Sequence, residues 1–148
     1  MEGRAPQIRN AVFYVLVAMV VAVLGMEQLM KLSFFVEATL AIAFGLLGLV
    51  LVVLTARLRE ARIQKIFFIL TGASAAGIPI CVILHGLVYR LFVAWFGEGF
   101  WERHTPYDDE PVFFILAVFV CPTLFLIGTL GSIVLLIKAR IARRAYAP

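Results

Sequence analysis

Five polar residues set into strongly apolar sequence are where chemistry would be sought first: Glu27, Glu37, His85, Tyr89 and Arg90. A neutral imidazole donates from one ring nitrogen and accepts at the other, which equips His85 to hold a ligand or relay a proton. Glu27 and Glu37 would favour a cation. All five fall near the same ends of their apolar segments, so convergence would make a small polar vestibule. The competing reading is electrostatic housekeeping at an interface. Lys31 stands four residues after Glu27, a helical ion-pair spacing, and Arg90 has a stem long enough to reach a carboxylate or the headgroups.

His85 shares a helical stripe with Thr71, Ser74 and Cys81, and Tyr89 lies one turn beyond it. Ionisable groups inside a membrane are functional candidates by default. A lone His without a second His or carboxylate at ligand spacing is nevertheless a poor metal or haem site, and a structural hydrogen bond is the favoured role. Cys81 and Cys121 form neither a CxxC pair nor a zinc knuckle and read as buried apolar residues. HExxH, GxSxG and nucleotide-binding glycine patterns are missing from the chain. The sequence thus assigns no catalytic residue, no metal and no cofactor.

The segment Gly97–Glu110 is the longest connection outside the apolar runs. Phe96, Phe100, Trp101 and Tyr107 read as an interfacial aromatic belt. Asp108, Asp109 and Glu110 precede Pro111, an ordinary helix N-terminus with acids at its positive end and Pro in its first turn. Their spacing fits neither an EF-hand nor a zinc motif.

The elements that must position these groups are four apolar runs, at about residues 11–30, 34–54, 66–92 and 111–137. Each reaches the roughly 20 residues needed to cross a hydrocarbon core of about 30 Å. Backbone in lipid must satisfy its own hydrogen bonds, so each run is expected to be helical. The fold class is therefore all-α: a polytopic membrane protein, a four-transmembrane-helix bundle of two hairpins, with residues 1–148 as one transmembrane domain. The first run is too long for a signal-peptide core and lacks a small-x-small cleavage site, so it reads as a mature helix.

Charge sets the orientation. Arg4, Arg9, Arg57, Arg59, Arg62, Lys65, Lys138, Arg140, Arg143 and Arg144 are ten of the 13 basic residues and fall on one side. Lys31, Arg90 and Arg103 fall on the other, with seven of the nine acids. The positive-inside rule predicts a multi-pass protein of the plasma (inner) membrane with both termini cytoplasmic. The basic balance is then a topology signal with some attraction to anionic lipid, not a nucleic-acid footprint.

Small residues mark where helices approach: Gly45 and Gly48 in the second run, Gly72 and Gly77 in the third, Gly128 and Gly131 in the fourth. Gly45 and Gly128 each open a Gly-x-x-Gly set twelve residues before an Arg, a faint parallel repeat. Pro79 and Pro122 lie roughly 15 Å below the outer surface, at about 1.5 Å per residue, and predict kinks at matching depth. The function these features suggest is a small non-enzymatic membrane protein, an accessory or assembly subunit or a homo-oligomer. Its partners are the lipid bilayer and either another membrane protein or copies of itself. A small-solute transporter or binding protein using the vestibule ranks second, and an intramembrane enzyme third.

Overall fold

The computed structural model describes residues 4–29, 33–105 and 109–145 and, within them, the side chains of all but 27–29 and 143–145. Its elements are helices α1 (Arg4–Leu29), α2 (Phe34–Arg57), α3 (Arg62–Phe96), α4 (Phe100–His104) and α5 (Pro111–Ile115), one π-helical turn (Leu116–Val120), and α6 (Cys121–Ala145). Four stretches are long and apolar enough to cross a membrane: Arg4–Met26, Phe34–Arg57, Arg62–Phe96 and Pro111–Ala142. The fourth is α5, the π turn and α6 in continuous succession. The helices extend past the apolar runs at their basic ends because Arg, Lys, Gln and Ala are good helix formers once the chain leaves the hydrocarbon.

Local chemistry explains the boundaries. The Val36 and Glu37 N–H groups donate to Ser33 O at 2.9 and 3.1 Å, which starts α2. Leu58 turns extended and ends it, and α3 begins after Ala61. Gly97 ends α3 with φ 88°, a left-handed value that side chains with a Cβ disfavour. Glu110 caps α5: its carboxylate accepts from Val112 N at 2.8 Å and Phe113 N at 3.0 Å, and Pro111 follows as the first helical residue. Such a cap satisfies N–H groups that lipid cannot.

The two interior prolines, expected to act alike, are accommodated differently. Pro79 sits within an uninterrupted α3, its ring seated against Gly45, where an added Cβ would lie 2.7 Å from Pro79 Cγ. Pro122 is preceded by the π turn, in which the Cys121 N–H reaches back to Leu116 O. A proline ring clashes with the carbonyl four residues earlier, and the wider turn moves that carbonyl aside.

Helix α3 is central, packed along α2 on one flank and α6 on the other, and α1 leans on α2. Backbone meets backbone at two seams. An ideal Cβ on Gly48 would stand 2.6 Å from Gly72 O, and one on Gly128 would stand 2.7 Å from Thr71 N. Close approach of this kind is how membrane helices gain van der Waals contact when lipid competes with every apolar side chain. Phe13, Leu16, Leu51, Phe68, Ala75 and Phe125 form the core beside these seams. Thr55 and Thr71 are fully buried and donate to the carbonyls of Leu51 (2.7 Å) and Phe67 (3.0 Å) on their own helices.

These buried residues come from the first half of α1, the end of α2, the start of α3 and the early part of α6, midway along the fourth span. One end of the bundle is therefore closed. At the other, open end, α1 from Val21 to Met26 and α2 from Phe34 to Glu37 are largely exposed. Phe34 and Phe35 are 76% and 81% accessible, suited to lipid rather than water.

Candidate functional site at the open end

Of the five residues grouped by sequence, His85, Tyr89 and Glu37 fall in three different places. His85, on α3, faces the start of α5. Its Nδ1 lies 3.1 Å from Glu110 O and 3.4 Å from Glu110 Oε2, and its Nε2 lies 3.4 Å from Asp109 Oδ2. Both ring nitrogens thus address acceptor oxygens. The cationic ring donates to both; the neutral ring, with one N–H, serves one of them. Glu110 is buried at 4% exposure and already engaged in capping, whereas Asp109 is 44% exposed and accepts the Glu110 N–H at 2.7 Å. The His85 ring also lies 6.0 Å from Phe114.

Tyr89 belongs to an aromatic cluster. Its ring stacks on Trp101 at 6.1 Å, and the Trp101 indole N–H donates to Tyr89 O at 3.4 Å. Phe92 touches Phe96, Phe100 and Trp101. Trp101 is buried, so the short α4 folds back over α3 and lids it; Trp95 and Phe96 are the exposed aromatics there. Tyr107 lies outside the described residues. Arg90 is exposed and makes no ion pair among the described residues.

Glu37 lies in neither cluster. In the first turn of α2, it lines a cleft of about 280 Å³ between α1 and α2. Met19, Val20, Val23 and Leu24 form one wall, Leu40, Ala41 and Phe44 the other, and Ile78 of α3 closes the floor. Glu27 belongs to α1, but its side chain and the whole of Lys31 lie outside the described residues. No described contact joins Glu37 to His85.

Two arrangements went unanticipated in the sequence. Asp109 and Glu110 read as capping acids, yet they are also the partners of His85. The available signal was that both stand at the entry of the fourth span, level with the C-terminal part of the third. The second is Arg9, which counted only as a topology charge. It is 1% exposed, ion-paired with Glu60, bonded through Nε and Nη2 to Asn10 Oδ1 at 3.1 and 2.7 Å, and its Cζ lies 4.0 Å over the Phe68 ring. Glu60, the lone acid among Arg57, Arg59 and Arg62, was the sequence clue.

The cysteines are free, with Cys121 Sγ against Gly77 and close to Cys81. Among the described residues no three His, Cys, Asp or Glu groups gather as a metal site.

Comparison with protein-family models, curated proteins and solved structures finds no match. Architecture therefore defines the class: the chain is a four-span, all-α membrane protein whose helices pack together.

Proposed function

We propose that this is a non-enzymatic protein of the plasma (inner) membrane that works by association, as an accessory or assembly subunit or as a homo-oligomer. The observation that carries this reading is the asymmetry of the bundle. The small-residue seams are occupied by the protein's own helices, while the outer halves of α1 and α2 remain apolar and unsupported. Polar groups in the closed half, Arg9, Thr55 and Thr71, have internal roles in the fold. The partner-facing surface is then the exposed Val21, Leu24, Phe34 and Phe35 edge rather than the glycine faces.

Site-directed crosslinking in native membranes tests this. With Cys81 and Cys121 changed to Ala, a single cysteine at Phe35 should give a discrete adduct with another membrane protein or a second copy. A cysteine at Ile141, exposed at the closed end, should not. Equal, diffuse labelling at both positions would reject the reading. The basic-residue asymmetry supports both termini being cytoplasmic. Reporter fusions after Pro148 and at His104 should report opposite sides of the membrane, and agreement between them would refute that orientation.

A second reading, a small-solute binding protein or transporter, is favoured by the cleft between α1 and α2. Among the described side chains of Glu37, His85, Tyr89 and Arg90, Glu37 lines it.

A further inference from the structure

The cleft has a floor, two apolar walls and, among the described residues, one charged group. Its floor lies at Phe44 and Ile78, just above the contact of Gly45 with Pro79 that draws α2 and α3 together. From Glu37 to Phe44 the helix descends about 10 Å, at about 1.5 Å per residue. The cleft's described carboxylate, Glu37, stands in the first turn of α2, where the helix N-terminus stabilises negative charge. It makes no ion pair among the described residues.

That chemistry discriminates between occupants. A carboxylate at the opening of an apolar slot repels anions. A divalent metal such as calcium wants about six to eight oxygen ligands, and among the described residues the lining supplies one carboxylate. The volume is at the small end of ligand pockets, which begin at about 300 Å³, and cannot admit a helix. We infer that the cleft binds a small organic monocation with an apolar body, an alkyl- or arylammonium, its charge against Glu37 and its body between α1 and α2 over Phe44. This inference rests on the solute-binding reading and names the solute class.

The probe is octyltrimethylammonium, measured against the purified full-length protein in lipid nanodiscs, with neutral octanol and anionic octyl sulfate as matched controls. The cation should bind saturably at one per protein, and the two controls should only partition into lipid. Glu37→Gln should weaken binding by about tenfold or more, as expected for losing one partner of a partly desolvated charge pair. Ala41→Leu, which fills the slot without touching charge, should weaken it similarly. Thermal unfolding must show both variants folded. Undiminished binding in Glu37→Gln overturns the inference. Saturable octanol binding that Ala41→Leu blocks and Glu37→Gln does not would also overturn it, leaving an apolar-solute reading in place. Saturable binding of neither molecule removes both.

Discussion

The two ends of this bundle are built on opposite principles. At the closed end, backbones touch across Gly48–Gly72 and Gly128–Thr71, and a guanidinium is buried among an acid, an amide and an aromatic ring. At the open end, Gly25 and Gly86 have nothing among the described residues within 4 Å of where a Cβ would be, and a cleft separates α1 from α2. Glycine count does not distinguish the ends; what the glycines face does. Small residues create stability in a membrane only where a second backbone fills the space they leave. Elsewhere they leave room, and room beside a carboxylate is where binding is possible.

The contrast breaks most severely at Arg9. Glu60→Gln leaves a buried cation without its counter-charge and should destabilise by about 3 kcal/mol or more. Arg9→Met combined with Glu60→Gln should recover most of that loss, because two neutral groups then replace the pair. Detergent-melting midpoints of the three proteins check this; a single mutant as stable as wild type would mean that the pair holds nothing at the closed end.

Glycine substitutions probe the same difference directly. Gly48→Leu drives a side chain into the Gly72 carbonyl and should cost about 3 kcal/mol, the upper part of the usual overpacking range. Gly86→Leu, with open space around it, should change stability by about 0.5 kcal/mol or less. Equal losses at the two positions would show that both ends are packed alike.

At the open end the expected effects shrink. Glu110→Ala removes a helix cap and should lower stability by about 1 kcal/mol. His85→Ala removes an interhelical hydrogen bond, worth about 0.6 kcal/mol on average in membranes. If His85→Ala exceeds Glu110→Ala, the imidazole rather than the cap holds α3 to α5. Smallest of all is the double change of Cys81 and Cys121 to Ala, which should leave melting and expression nearly unchanged. A large loss under oxidising conditions would reveal a bond that neither the free thiols nor the sequence suggests.

The four spans and their helical state were legible from the sequence because lipid permits few alternatives: an apolar run of sufficient length must satisfy its own backbone. Small residues interrupting large ones also stand out in one dimension. The grouping of the open-end polar residues does not. Shared depth placed Glu37, His85 and Tyr89 in one layer, but rotation about each helix axis decides which neighbour a side chain meets, and an apolar stripe all round α2 does not fix that rotation. The structure turns Glu37 into the cleft with α1, His85 toward Asp109 and Glu110, and Tyr89 under Trp101.

Arg9 and Pro122 illustrate the same division. A cation near the start of α1 and a proline within the fourth span can be read directly from the residue order. That the cation is buried on Phe68 against Glu60, and that the proline is absorbed by a π turn while Pro79 rests in the notch at Gly45, follows from how the helices pack. Hydrophobicity and hydrogen-bond closure act residue by residue along one chain, so they can be read from it. Close packing depends on the facing surface, which another helix supplies.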